Sequence, residues 1–312
     1  MPTNTAHLSA RRIVAVATSF LVFSCVWTAN AAAYGWPLKP FHQQHPVRGF
    51  FGDPRVDWEI PHVRRAYRFH FGIDISGRDG SPVYATASGR IVSEDETVYV
   101  TRPDGVKLEY WHVVPTARSG SWATAYRTVV GRIAPGWGHV HLAEWRDGAY
   151  VNPLRPGAMA PYADTTAPVV RRVRVQRGDR HVDRYHVTGR VDLVAECVDV
   201  TPLGVPAPWN EKPVVPALVR WRLTSAGRTI VDWATAVDFR RHVPAPSAFR
   251  DVYAAGTTQN RSYRPGQYFF LLLRDWDSSR VRNGVYRLEI AVEDAAGNSA
   301  RRAQRIVVAN GV

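Results

Sequence analysis

Four histidines and an aspartate stand at spacings that could hold a metal ion and work beside it. In the stretch FHFGIDISGRDG, residues 69–80, apolar and polar side chains alternate. Read as a strand of period two, Phe69, Phe71, Ile73 and Ile75 face one way, and His70, Gly72, Asp74 and Ser76 the other. The first set reads as core. A buried imidazole and carboxylate on the second need a partner or a metal. In GHVHLAEW, His139 and His141 share a strand face opposite Val140 and Leu142; in EYWHVV, Tyr110 and His112 share one opposite Trp111 and Val113. Three such strands would offer three protein ligands, an open position for water and two spare imidazoles, which is enough for a hydrolytic zinc site. Each piece alone is weaker, since a single strand histidine is more often structural.

The elements around these residues are strand-like. Runs at PVYATAS (82–88), GRIVS (89–93), TVYVT (97–101), VKLEYWHVV (106–114), RTVVGRI (127–133) and HVHLAEW (139–145) predict a mostly antiparallel β domain. RPDG at 102–105 predicts a hairpin turn with Gly105 at positive φ. The Pro- and aromatic-rich segment 34–48 reads as an extended lead-in, and the Pro-rich stretch around 157–168 as a linker. About seven further strand runs with turn clusters between them predict an immunoglobulin-like β-sandwich over 169–312. The expected fold is thus all-β: an antiparallel domain over 49–156 followed by the sandwich.

The chain has 312 residues, room for two cores. Its start predicts an export signal over 1–33: Arg11 and Arg12, an apolar stretch from Ile13 to Trp27, then small residues up to Ala31 or Ala33. Lipid attachment at Cys25 is disfavoured by the bulky Phe23, and an uncleaved anchor over 13–33 by its polar residues. No other segment could span a membrane, so none is expected to after cleavage. Cleavage leaves Cys197 as the single cysteine, with no internal disulfide and no Cys-rich zinc site; it reads as a small buried hydrophobe. The net charge of +13 falls to +11 when the two signal arginines go. For an exported protein, that charge predicts attraction to anionic cell-envelope polymers. Nucleic acid is not an expected partner, because the basic residues are scattered and no binding motif is present.

Between Gly49 and Pro156 the sequence resembles the lysostaphin/LytM-type zinc metalloendopeptidases. The resemblance runs in order through GFFGDPR, HFGIDI, GSPVYATASGRI, YWHV and GHVHLAEW with VNPLRP. It implies that His70, Asp74 and His141 bind Zn2+, that His112 and His139 are the catalytic pair, and that peptidoglycan peptides are the substrate. Which of the two histidines is the general base stays open. Two departures stand out. The turn before H-x-H is shortened to IAPGWG with Trp137 in it, and Glu144 lies one residue later than the family's acid. No Asn between Ala31 and His70 could block the metal as in latent family members, and His42, His45 and His62 read as surface loop residues.

Several other features are weaker candidates. HVDRYH (181–186) would place His181 and His186 on opposite strand faces, most of the 11 Trp read as core, and Asp53 with Arg55 reads equally as cleft wall or salt bridge. The expectation is an exported, two-domain zinc endopeptidase cutting peptidoglycan cross-bridges or stems. Its rivals are a non-catalytic envelope-binding or regulatory module of the same fold and a zinc protease acting on proteins.

Overall fold

Strand ladders dominate the computed structural model, which describes residues 34–56 and 67–311. The export-signal reading of 1–33, Cys25 and His62 lie outside the described residues. Among the described residues no helix is long and apolar enough to cross a membrane.

An eight-stranded sheet carries Asp74, His139 and His141. Its order is Val47–Gly49, Ile73–Ser76, His139–Arg146, Lys107–Trp111, Thr97–Thr101, Gly89–Glu94 and Trp122–Ala123, with Ala149–Val151 paired to the far half of His139–Arg146. All of its ladders are antiparallel. A three-stranded sheet of Pro82–Tyr84, Val129–Ile133 and Val113–Pro115 lies alongside it in the sequence. Ile73, Ile75, Val140, Leu142, Leu108 and Tyr110 bury themselves in one shared core. RPDG forms the expected turn, with Gly105 at φ 84° and Thr101 opposite Lys107.

Residues 169–308 form two four-stranded antiparallel sheets. One is ordered Arg180–Val182, Val169–Arg177, Arg190–Val198, Phe269–Asp277, and the other Arg228–Asp238, Leu218–Ser225, Gly284–Glu293, Ser299–Val308. In Gly284–Glu293 the period-two pattern is plain: Tyr286, Leu288, Ile290 and Val292 are buried between less buried neighbours. Cys197 is buried in the same core.

Two sequence expectations need correction. Residues 69–76 are not one strand. Tyr67–Phe69 pairs with Pro54–Val56, the chain breaks at His70–Gly72, and Ile73–Ser76 joins the large sheet. Phe69 therefore packs in the sandwich core with Phe239, Phe249 and Tyr253, while Phe71 lies against Trp111, His141 and Tyr150. Tyr110 does not share a face with the site, because it lies opposite Leu142 and its hydroxyl bonds Thr86 in the core. The 34–48 segment packs against the fold: Trp36 is fully buried, its indole N–H donates to the Pro161 carbonyl at 2.8 Å, and Tyr34 N–H donates to the Ala158 carbonyl at 3.0 Å.

Candidate metal centre

Cross-strand register gathers the side chains. His141 lies opposite Asp74 on one side and Trp111 on the other, and His139 lies opposite Ser76. Residues directly opposite in a ladder share a face, so Asp74, His139, His141 and Trp111 all look the same way. Strict alternation would turn His112 into the core beside Tyr110. Its φ of 64° breaks the alternation at the strand's end. Its ring lies 4.8 Å from that of His139 and 6.3 Å from that of His141, centroid to centroid.

Three atoms converge most closely. His70 Nε2 lies 2.7 Å from His141 Nδ1 and 3.0 Å from Asp74 Oδ1, and His141 Nδ1 lies 3.1 Å from that oxygen. His70 Nδ1 donates to the Phe50 carbonyl at 2.8 Å, so a neutral His70 turns a bare lone pair towards the other two atoms. Burial, then the Arg55 charge, push the His70 pKa down to about 3. Burial alone would raise Asp74, but His70, His139 and Arg55 hold it well below the usual carboxylate range. Two lone-pair donors thus face each other with at most the single proton of His141 Nδ1 between them. If that proton is absent, it sits on His141 Nε2, which is buried and has no hydrogen-bond partner. A cation among His70, Asp74 and His141 removes the conflict, and two imidazoles with a carboxylate are a suitable donor set for zinc.

The remaining imidazoles flank this cluster. His139 Nδ1 donates to the Trp137 carbonyl at 2.8 Å, so the lone pair of its neutral form is on Nε2, 3.4 Å from Asp74 Oδ1. His112 stacks on the Trp137 indole, with centroids 3.5 Å apart and planes inclined 18°. Burial, then His139 and His141, push the His112 pKa down to about 3. The shortened turn is held from below, where Asp79 accepts the Gly136 and Gly138 amide N–H groups at 2.7 Å each. Trp137 is thereby fixed as the support of His112. Glu144 faces the other side of its strand. It is fully buried in a network with Arg155, Arg146 and the Tyr34 hydroxyl, away from the histidines.

Arg55 is the neighbour that sequence reasoning left undecided. Its guanidinium donates to Asp74 Oδ2 at 2.9 Å and lies 3.7 Å from Asp53, so it is both cleft wall and ion-pair partner. Sequence reasoning missed the part played by the sandwich. The cleft over the cluster measures about 620 Å³, and Trp209, Gln259, Asn260 and Arg261 line it together with the histidines. Trp209 stacks under Arg48, 4.2 Å from guanidinium carbon to ring centroid. His181 and His186 are exposed and do not line this cleft; they do not sit on opposite faces of one strand, because the strand Arg180–Val182 ends before His186.

No family model matches the chain. Curated relatives include uncharacterized proteins of Mycobacterium bovis and Mycobacterium tuberculosis, 31% identical over 144 residues and covering 43% of this chain and 53% of theirs. The chain thus spans about half the length of the curated relatives it matches. Solved structures that align with it include the catalytic domain of the antimicrobial peptidase lysostaphin from Staphylococcus simulans, at 19% identity over 33% of this chain and 86% of that chain, TM-score 0.27. A prophage-encoded M23 protein from Enterococcus faecalis aligns at 24% identity over 37% and 95%, TM-score 0.27. A SpoIIIAH and SpoIIQ complex aligns at 20% identity over 39% and 97%, TM-score 0.30. At these TM-scores the likeness carries no inference about activity.

Proposed function

We propose that the chain is an exported zinc metalloendopeptidase that hydrolyses peptide bonds in peptidoglycan cross-bridges or stem peptides. The observation that carries this reading is the meeting of His70 Nε2, Asp74 Oδ1 and His141 Nδ1 within 3.1 Å of one another, beneath a cleft bordered by two further imidazoles. When bound, zinc supplies Lewis acidity towards the scissile carbonyl and lowers the pKa of water at the site.

The chain's own residues take the other roles. His139 has its Nδ1 proton committed to Trp137, so its Nε2 is the lone pair that accepts a proton from the attacking water. His112, kept neutral by burial and by its histidine neighbours, retains a ring N–H with which to hydrogen-bond the developing oxyanion. Arg48, Arg55 and Arg68 on the cleft wall suit a peptide bearing carboxylates, as peptidoglycan stems do. The immunoglobulin-like reading of 169–312 belongs to the same proposal, with loops at one end of the sandwich forming the cleft's second wall.

The test measures zinc content and muropeptide release for wild type, His141→Ala and His139→Ala. The proposal requires about one zinc per wild-type chain with peptide release, loss of metal in His141→Ala, and retained metal with lost activity in His139→Ala. Tight zinc with no release from several peptidoglycan types would overturn the endopeptidase reading. No zinc after reconstitution would overturn the site.

A further inference from the structure

Three carboxylates far apart in the sequence meet where the 157–168 segment runs into the sandwich. Asp164 lies in that segment, Asp199 follows the Arg190–Val198 strand and Asp294 follows the Gly284–Glu293 strand. Their relative exposures are 8%, 1% and 2%, and each offers a carboxylate oxygen within 4.8 Å of the other two. Burying three like charges together is costly unless something neutralises them.

Local hydrogen bonds occupy only part of the cluster. Asp164 accepts from the Thr166 amide at 2.9 Å and the Tyr162 hydroxyl at 3.4 Å. Asp294 accepts from the Ala296 and Asn298 amides at 2.8 and 2.9 Å and from the Asn298 side chain at 2.7 Å. Asp199 Oδ1 accepts from the Val200 amide at 2.8 Å, but Asp199 Oδ2 has no hydrogen-bond partner although the residue is almost wholly buried. Burial first, then Asp164 and Asp294, push the Asp199 pKa up to about 8.

We propose that Asp164, Asp199 and Asp294 bind a calcium ion that fastens the 157–168 segment to the sandwich. The donors are oxygens alone, with no imidazole or thiolate among them, which selects a hard cation over zinc. Oxygens each about 2.4 Å from a calcium ion stand up to about 4.8 Å apart, and the three carboxylate oxygens here lie within that limit of one another. The site also lies on a seam between the two cores. Asp199 and Val214 exchange backbone hydrogen bonds at 2.7 and 3.0 Å, and Val214 belongs to the core beneath the histidine sheet. Asn298 ties Asp294 to the Asp164 carbonyl, donating to the latter at 2.9 Å. The ion therefore acts on the stability of the seam and not on the hydrolytic step.

The test uses the full chain reconstituted with zinc. Calcium is titrated calorimetrically, and terbium serves as a luminescent substitute for it, sensitised by the neighbouring Tyr162. One calcium per chain is expected, with Tm raised by about 5 °C at a hundredfold excess over Kd. Asp199→Asn, which keeps an acceptor for Val200, should lose calcium uptake and the Tm response while zinc content stays at the wild-type level. If that variant does not fold, Asp164→Asn carries the same expectation. Absence of calcium uptake at millimolar concentration, or undiminished uptake in the variant, would overturn the proposal and leave three carboxyls sharing a proton.

Discussion

Gly72 gives the sharpest test of how the proposed ligand cluster is held. A Cβ built there would lie 2.7 Å from His141 Nε2 and 2.8 Å from its Cε1, and would press on the Leu142 carbonyl oxygen. Ordinary carbon contacts begin near 3.5 Å, so something must move by about 0.7 Å. The Leu142 backbone has little room to retreat, because it pairs with Ile73 on one side and Tyr110 on the other. The His141 ring must therefore shift, by several times the roughly 0.2 Å tolerance of a metal–ligand bond. Gly72→Ala should weaken zinc binding about 10- to 100-fold, or ~1.4–2.7 kcal/mol, and lower stability by about 1–3 kcal/mol through overpacking. Competition against a chromophoric zinc chelator measures the first effect, and chemical denaturation the second. Gly204→Ala, where a Cβ meets nothing within 4 Å, is the matched control. Wild-type zinc affinity in folded Gly72→Ala would refute the claim that His141 is a ligand fixed by its packing.

Trp137→Ala removes the ring on which His112 rests, so kcat should fall by about 100-fold with zinc content unchanged; parallel loss of zinc would show that the indole supports the ligands instead. Phe239→Ala, at a fully buried ring against Gly52, Phe69 and Tyr253, should cost about 3–5 kcal/mol, read by urea denaturation. Glu144→Gln should cost about 3 kcal/mol at pH 7, because it removes the fully buried anion that two partly buried arginines share. Burial works against Glu144 ionisation, yet Arg155, Tyr34 and Arg146 hold its pKa below the usual range. Its contribution is therefore complete above a pH of about 4.5 and lost as pH falls through the lower folded value, so the wild-type and variant denaturation curves should approach each other in acid.

Part of the candidate site was legible because Asp74, His139 and His141 lie within short, strongly patterned strands. His139 and His141 follow strand alternation, and Asp74 faces them across one ladder. His112 lies beside His139 and His141, but not through the strand alternation read from the sequence. Alternation alone would bury it with Tyr110, and only a positive φ, which nothing in EYWHVV announces, returns it to the site. Phe69 and Phe71 were assigned to the core of Ile73 and Ile75 because the pattern runs unbroken through Gly72. A break at residues 70–72 sends Phe69 into the sandwich core and leaves Phe71 against His141. The Asp164, Asp199 and Asp294 cluster was invisible for another reason: its members are separated by 35 and 95 positions, and each alone is an ordinary turn aspartate.

That break at His70 also explains why the sandwich matters to the histidine cluster. His70 is held at its backbone by Asp53, whose carbonyl accepts its N–H, and by Gly52, whose N–H donates to its carbonyl, both at 2.8 Å. Its ring is held by the Phe50 carbonyl. Each holder is fixed in turn, and two of them from the sandwich. The Gly52 carbonyl accepts the Tyr253 hydroxyl at 2.7 Å, and Phe239 fills the space a Cβ on Gly52 would occupy. Asp53 accepts the Val215 amide through one oxygen and the Phe50 amide through the other, each at 3.0 Å. The first candidate ligand therefore stands one residue from the sandwich, with Phe69 beside it as the anchor. A sandwich that only tethered the molecule would need no such contacts. Here it sets the backbone from which His70 projects and supplies Trp209 and Gln259 to the opposite wall of the cleft, so a change in its packing reaches both the candidate ligand and the cleft.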